Sequence, residues 1–248
     1  MEEKPRKRKK RRKKHYLLRF LVFILVCVGS YQGLSSSFFD ISDVEVTSNS
    51  YYTVEQIKEK AGVKIGENIF RFSKGTVKKK LLADPYFENV KIMRKLPSTI
   101  VIDVKERTER AVIPKGRKFV VVDPKGLVLK VTDNPPKVSL VNGLTVKTAK
   151  AGKPLEVEEN SMLNDTLVML TDVEESNIFF KRIDISNVII KAYIYDQLIC
   201  EGTPENMSAA IKNGNLESAL YEMYSKGIER GIIRVGSDNY CSFNPNVE

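Results

Sequence analysis

The pattern of apolar positions divides the chain into one continuous apolar run and a long region of short, alternating segments. The run extends from Tyr16 to Leu34, and Arg19 is the only charged residue in it. As a helix rising about 1.5 Å per residue, this run would cover about 28 Å, close to the hydrocarbon thickness of a bilayer. Aromatic residues typical of membrane interfaces lie at both ends: Tyr16, Phe20, Tyr31, Phe38 and Phe39. The pattern predicts a transmembrane helix over residues 16–37.

After this run the chain changes to short elements, beginning with a strand and a helix. Alternating apolar residues from Phe39 to Val46 favour a strand with a small irregularity. Thr53-Val-Glu-Gln56 is a capping box, in which the side chains of the first and last residues cap each other's backbone. Gly62 is suited to the end of the helix that follows.

A second helix and two strands complete this segment. The helix is predicted from Ser73, with Val77, Leu81 and Leu82 facing inward, and Pro85 stops it. Alternation resumes on both sides of a turn at Leu96-Pro-Ser98, which predicts two further strands. The predicted order over this segment is strand, helix, helix, strand, strand.

The rest of the chain is predicted to be β-rich with a few helices. Asp123-Pro-Lys-Gly126 has the residues of a type I turn and predicts a hairpin. A helical stripe that includes Leu167 and Leu170 follows, then a hairpin that turns near Asp196. A last helix and a terminal hairpin over residues 231–243 complete the pattern. The aromatic residues expected in the core are Phe179, Phe180 and Tyr193, and the last helix is predicted from a stretch that includes Leu216, Leu220, Met223 and Tyr224.

The positive charge of the chain lies in one short segment. Residues 1–19 carry +9 of the formal net charge of +10. A nucleic-acid-binding domain would show a basic face in its folded part, so we expect no nucleic-acid partner. Lys and Arg beside a membrane span stay on the cytoplasmic side, which predicts a cytoplasmic tail over residues 1–15. The residues of this topology signal are Arg6, Lys7, Arg8, Lys9, Lys10, Arg11, Arg12, Lys13 and Lys14.

Two alternatives concern processing and redox state. A cleaved signal peptide would explain the small residues Ser35-Ser-Ser37, but the apolar cores of such peptides are shorter, about 7–15 residues. An uncleaved anchor is therefore favoured. Cys200 and Cys241 then lie outside the membrane, where they could form a disulfide or remain as two buried thiols.

Candidate chemistry is sparse in the predicted extracellular region. The single histidine, His15, falls beside the basic segment, which leaves no histidine to activate a serine or cysteine nucleophile outside the membrane. The same absence weakens any zinc site. Neither an Asp-x-Asp triplet nor a phosphate-binding Gly-x4-Gly-Lys-Ser/Thr loop occurs. We expect no catalytic residue, no metal and no cofactor.

The stretch DPYFENVKIMRKLPSTIVIDVKERTERAV is similar to the end of the POTRA domain in the FtsQ family, called DivIB in Gram-positive bacteria. The resemblance implies an α+β fold, with a single transmembrane helix followed by a POTRA domain (β-α-α-β-β) and a second β-rich domain with flanking helices. The implied bounds are 38–113 for the POTRA domain, 114–244 for the β domain and 245–248 for a short C-terminal tail. The matching residues are Val90, Arg94, Leu96, Pro97, Thr99, Ile100, Ile102, Val104, Glu106, Arg107 and Ala111, whereas Glu109 stands where the family usually has proline.

The resemblance also implies a non-enzymatic scaffold of cell division. Its implied partners are FtsL and DivIC/FtsB-type bitopic proteins and, indirectly, the septal peptidoglycan synthases. Its implied location is the cell membrane at the division septum, as a single-pass type II protein with its C-terminal domains outside. In the family, DivIC/FtsB docks by adding a strand to the C-terminal part of the β domain. The corresponding residues here are Ile232, Ile233, Arg234, Val235, Tyr240, Cys241, Ser242 and Phe243.

Two other functions share parts of this pattern. A membrane-anchored cell-wall enzyme, sortase-like or a glycosyltransferase, is disfavoured by the absence of an extracellular histidine and of Asp-x-Asp. A POTRA-bearing translocation component is disfavoured because such proteins continue into an outer-membrane barrel.

Overall fold

The computed structural model describes residues 15–238 and 240–245. Its first element is helix α1, Tyr16–Leu34, which is followed by a single 3₁₀ turn, Ser37–Phe39. No residue of α1 is buried against the rest of the described chain. By length and composition, α1 can cross a membrane, in agreement with the sequence pattern. A bilayer would cover the apolar side chains that the protein itself leaves exposed.

The unit that follows α1 has the predicted order β-α-α-β-β. Its elements are β1 (Asp43–Thr47), α2 (Val54–Ala61), α3 (Lys74–Leu81), β2 (Phe87–Lys95) and β3 (Thr99–Glu106). The strands form a sheet in the order β1-β3-β2, with β1 parallel and β2 antiparallel to the central β3. Both helices pack on it around the fully buried Ile57, Leu81, Ile100 and Ile102. Each such side chain contributes about 1.5–3 kcal/mol through burial.

Local sequence signals determine where these two helices begin and end. Thr53 Oγ1 accepts a hydrogen bond from the Gln56 N–H at 3.3 Å, and Gln56 Oε1 accepts one from the Thr53 N–H at 2.9 Å. Gly62 follows α2 with a φ of 63°, a left-handed conformation that a Cβ disfavours. Ser73 caps α3 by accepting from the Thr76 N–H at 3.4 Å. The sequence-based prediction of both helices is confirmed, but Leu82, which was expected to face inward, follows the last residue of α3 and is 38% exposed.

The second unit is built on a nine-stranded sheet. Its strands are ordered β14-β13-β12-β11-β10-β7-β4-β5-β6, and β8 and β9 form a separate pair. Neighbouring strands are antiparallel except for β12–β13, β10–β7 and β4–β7, which are parallel. In chain order the elements are β4 (Ala111–Lys115), β5 (Lys118–Val122), β6 (Val128–Thr132), β7 (Ser139–Asn142), β8 (Val146–Thr148), β9 (Glu156–Val157), α4 (Asn160–Glu174), β10 (Arg182–Ser186), β11 (Ile189–Tyr193), β12 (Gln197–Gly202), α5 (Pro204–Lys212), α6 (Asn215–Ser225), β13 (Arg230–Val235) and β14 (Cys241–Asn244).

Helices α4, α5 and α6 share one core with the large sheet. Its fully buried side chains include Leu163, Leu167, Met169, Phe180 and Ile183. The predicted apolar stripe of α4 is therefore confirmed. One expectation about aromatic residues is wrong: Phe179 is exposed, because the chain directs its neighbour Phe180 into the core instead.

The two units meet at a buried ion pair. Arg107, directly after β3, lies with its Nη1 2.8 Å from Oδ2 of Asp123, which is only 2% exposed. The other oxygen of Asp123 accepts from the backbone N–H groups of Lys125 and Leu127 within the predicted β5–β6 turn. One carboxylate thus stabilises the turn and connects it to the first unit.

A second junction contact involves aromatic rings. The ring of Tyr86 stacks on Tyr51 with centroids 4.0 Å apart, and its hydroxyl donates to Glu109 at 2.6 Å. Glu109 also pairs with Lys130 of β6 at 2.8 Å. The short connection between β3 and β4 therefore carries polar contacts to both units.

The division into residues 38–113 and 114–244 stays a proposal. Strand β4, Ala111–Lys115, runs through the proposed boundary and pairs with β5 and β7 of the large sheet. Of the proposed tail, 245–248, only Pro245 lies among the described residues.

Candidate partner-binding edge

Strand β14 lies at one end of the nine-stranded sheet. It pairs with β13 in antiparallel register, with Ile233 opposite Phe243 and Val235 opposite Cys241. Within residues 15–238 and 240–245, no strand pairs with its other side. An open edge of this kind offers N–H and C=O groups to a strand from another chain.

The hydrogen-bond pattern of the hairpin identifies the groups that point outward. The N–H of Gly236 donates to the carbonyl of Tyr240 at 3.0 Å. Hydrogen-bonded and non-bonded residue pairs alternate along an antiparallel ladder. Counting from this bond, the N–H and C=O groups of Cys241 and Phe243 turn away from β13. These two residues supply the main-chain groups of the open edge.

The side chains of the hairpin alternate between core and solvent. Cys241 and Phe243 pack against the large core, whereas Ser242 is exposed. Tyr240, directly before the strand, is 67% exposed. The edge therefore combines outward backbone groups with an exposed aromatic ring, a side chain that is common at protein interfaces.

Residues 232–235 of β13 were expected to belong to the docking segment, but β13 is not an edge strand. It lies between β12 and β14, so both of its edges are already paired. Ile232, Ile233 and Val235 are buried, and Arg234 is exposed with its Nε 3.6 Å from Glu201. These four residues can hold β14 in place, and they offer no free backbone edge while β14 is paired.

Two other edge strands, β6 and β2, are less suited to accept a strand. At the opposite end of the large sheet, the first residue of β6 is already paired: the Val128 N–H donates to the carbonyl of Lys153, and the Gly152 N–H donates to that of Val128. In the first unit, the edge strand β2 carries the charged residues Glu88, Lys91 and Lys95, and charge on an edge opposes pairing. This comparison favours β14 among these three strands.

The two thiols near the edge, Cys200 and Cys241, do not have the properties of reactive nucleophiles. Cys200 and Cys241 are both free thiols in the structure. Burial raises the pKa of the Cys200 thiol, and burial also raises the pKa of the Cys241 thiol. Both therefore stay protonated at neutral pH, and a thiol is a poor nucleophile compared with a thiolate. In the part of the chain that the structure describes, no group of three His, Cys, Asp or Glu residues could hold a metal ion.

One predicted segment cannot be compared with the structure, and one residue of the hairpin was not predicted. The topology signal, Arg6 to Lys14, lies outside the described residues. Sequence reasoning did not identify Gly231, whose lack of a side chain makes room for Phe243. An isolated glycine within a strand pattern often marks such a close approach, so a signal was available.

Sequence comparisons point to one family. A family model described as "POTRA domain, FtsQ-type" matches residues 39–107. Cell division protein DivIB of Clostridium tetani is 31% identical over 206 residues, which cover 80% of this chain and 76% of that protein. DivIB of Clostridium acetobutylicum is 28% identical over 185 residues, 73% of this chain and 74% of that one. Cell division protein FtsQ of Corynebacterium glutamicum is 22% identical over 174 residues, 62% and 78% of the two chains.

A solved structure shows only a partial likeness. The major extracytoplasmic domain of DivIB from Geobacillus stearothermophilus gives a TM-score of 0.31 at 13% identity, covering 46% of this chain and 93% of that one. The sequence relatives decide the assignment, since the C. tetani protein is matched over most of both chains. With its FtsQ-type POTRA domain after an apolar helix, this chain belongs to the DivIB/FtsQ family of cell division proteins.

Proposed function

We propose that this chain is a non-enzymatic scaffold of the division machinery that binds FtsL and DivIC/FtsB-type proteins outside the cell membrane. Through these partners it helps to position septal peptidoglycan synthesis. It is a single-pass type II protein with a cytoplasmic N-terminus, and it is enriched at the division septum. Family membership supports the role in division. The single observation that carries partner binding is the open edge of β14.

Strand addition at β14 would extend the large sheet by one strand. The outward groups of Cys241 and Phe243 would each form main-chain hydrogen bonds, worth about 0.5–1.5 kcal/mol net apiece. Tyr240 and Ser242 would supply the exposed side-chain surface of the new contact. Since β13 holds β14 over four residue pairs, the docking strand would meet an edge that is already formed.

A proline substitution tests the docking mode directly. Cys241→Pro removes the outward N–H and leaves the groups that face β13 unchanged, because position 241 belongs to a non-bonded pair. Cys241→Ala is the matched control, since it keeps the N–H and loses only the thiol. We expect the full chain in detergent or nanodiscs to lose about tenfold or more in affinity for DivIC with proline, about 1.4 kcal/mol, and little with alanine. Equal affinities for the two variants, both folded by circular dichroism, would contradict docking at β14.

Localisation tests the role in the cell. We expect a fluorescent fusion of the full chain to concentrate at the septum, and depletion of the protein to produce filaments. An even distribution around the membrane would contradict the proposal. Turnover of a peptidoglycan precursor by the purified chain would contradict its non-enzymatic part.

A further inference from the structure

The loop between α2 and α3, residues 62–73, lies against the end of the apolar helix α1. Asn68 Nδ2 donates to the carbonyl of Leu34 at 2.9 Å. Arg71 Nη2 lies 3.4 Å from the hydroxyl of Tyr31. Two side chains of the loop therefore contact the last turn of the helix and place the loop at the same level along its axis.

The backbone between α1 and β1 is also paired with this loop. The Ile41 N–H donates to the carbonyl of Glu67 at 2.9 Å, and the Gly66 N–H donates back to the Ile41 carbonyl at 2.8 Å. The Ile69 N–H donates to the Phe39 carbonyl at 2.8 Å. These bonds fix the connection between helix and domain, so the loop is held beside the helix end by backbone as well as side-chain contacts.

The outer surface of this loop is apolar and basic. Ile65 is 63% exposed and Phe70 is 40% exposed, and Phe38, in the 3₁₀ turn after α1, is 67% exposed. The rings of Phe38, Phe39 and Phe70 form a chain of edge-to-face contacts, with centroids 5.1 and 5.2 Å apart. Lys64 and Arg71 are exposed beside them, and the acidic Glu67 is half-buried. We call Phe38, Lys64, Ile65, Phe70 and Arg71 the juxtamembrane face.

We propose that the juxtamembrane face lies in the headgroup region of the bilayer that holds α1. Nineteen residues are just sufficient to cross the hydrocarbon layer, so Leu34 lies at the level of the headgroups. The loop that contacts Leu34 lies at that level too. Aromatic rings with Lys and Arg are the side chains that favour this interface, and isoleucine gains by leaving water. The first domain thus rests on the membrane surface, whatever partner binds at β14.

Tryptophan fluorescence can test this placement because the chain contains no tryptophan. We would introduce Ile65→Trp and, separately, Phe70→Trp into the full chain and reconstitute each variant into phosphatidylcholine–phosphatidylglycerol vesicles. Tyr221→Trp is the matched control, since Tyr221 is a highly exposed residue of α6 in the second unit. Each sample would be compared in ordinary lipid and in lipid brominated near the headgroup end of its acyl chains, which quenches a tryptophan at the membrane interface.

We expect Ile65→Trp and Phe70→Trp to emit at shorter wavelength than Tyr221→Trp and to lose a larger share of their intensity than Tyr221→Trp in brominated lipid. The control should keep its intensity. Since both test positions are exposed, neither substitution should disturb folding, and circular dichroism checks this. If both probes emit and respond like the control, the first domain stands clear of the bilayer and the proposal is wrong.

Discussion

The ring of Phe243 lies directly over the backbone of Gly231. A Cβ built on Gly231 would fall 2.3 Å from Cε2 of Phe243 and 2.9 Å from the carbonyl oxygen of Asn244. Gly231 also has a φ of 139°, in a region that residues with a side chain rarely adopt. This glycine lets β14 approach β13 closely enough for Phe243 to reach the core.

We therefore expect Gly231→Ala to loosen β14. The clash involves both a ring and a backbone atom, so it cannot be relieved by rotating one flexible side chain. A loss of about 1–3 kcal/mol in the free energy of unfolding is expected, together with weaker binding of DivIC. Chemical denaturation of the full chain in detergent measures the first effect. Gly227→Ala is the control for a glycine with positive φ, because a Cβ added at that position would have nothing within 4 Å. An equal loss of stability in both variants would show that the clash with Phe243 is not its cause.

The ion pair at the junction should contribute to stability more than an exposed pair does. Arg107→Ala leaves the carboxylate of Asp123 buried with only its two backbone donors. A loss of about 1–3 kcal/mol is expected, since an underbonded buried charge retains its desolvation cost. Lys181→Ala breaks the exposed pair with Asp196 and should cost under about 1 kcal/mol. Equal costs, measured by denaturation, would show that the junction is not stabilised by this contact.

The carboxylate of Glu88, at the same junction, should make the free energy of unfolding depend on pH. Hydrogen bonds from Lys105, which has the larger effect, and from Lys125 lower the pKa of Glu88 from 4.5 to about 2. Because the pKa is lower in the folded protein, this contribution is complete above pH 4.5 and is lost as the pH falls towards 2. Both lysines are well exposed, so the contribution is under about 1 kcal/mol.

Glu88→Gln should therefore be slightly less stable than the parent protein at pH 7 and equal to it near pH 2. Denaturation curves of both proteins across this pH range provide the measurement. A difference that persists unchanged at the acid end would assign the effect to packing of the side chain instead of its charge.

The different burial of Cys241 and Cys200 predicts the order in which a thiol reagent modifies them. In a Cys27→Ser background, a maleimide should modify Cys241 slowly and Cys200 only after unfolding, since Cys200 is fully buried. Bound DivIC should slow the reaction of Cys241 further. Mass spectrometry of timed samples would show the order, and a Cys200–Cys241 disulfide in the purified protein would contradict the free thiols of the structure.

Signals that act over a few residues were readable from the sequence. The capping box at Thr53, the helix end at Gly62 and the turn at Asp123 each depend on neighbours in the chain, and each is present. Helix α5 begins with local signals of the same kind: Thr203 accepts from the Asn206 N–H, and Pro204 occupies the first turn.

Relationships between distant segments were not readable. Strand β4 follows the charged stretch that ends at Arg110. Its position inside the large sheet, between β5 and β7, depends on pairing with a strand that lies further along the chain. The sequence suggested the terminal hairpin, but not that β14 ends a nine-stranded sheet while Gly152 and Lys153 pair with the start of β6 at the other end. Such arrangements depend on strand pairing across the whole domain, which local periodicity does not encode.

Hydrogen exchange of the backbone amides of β14 tests the central proposal most directly. The full chain would be measured in nanodiscs, free and bound to DivIC, with fragmentation fine enough to separate neighbouring amides. The proposal predicts that the N–H groups of Cys241 and Phe243, which face away from β13, exchange quickly in the free protein and become protected in the complex. If DivIC binds while these two amides continue to exchange at the free rate, the partner docks elsewhere and strand addition at β14 is contradicted.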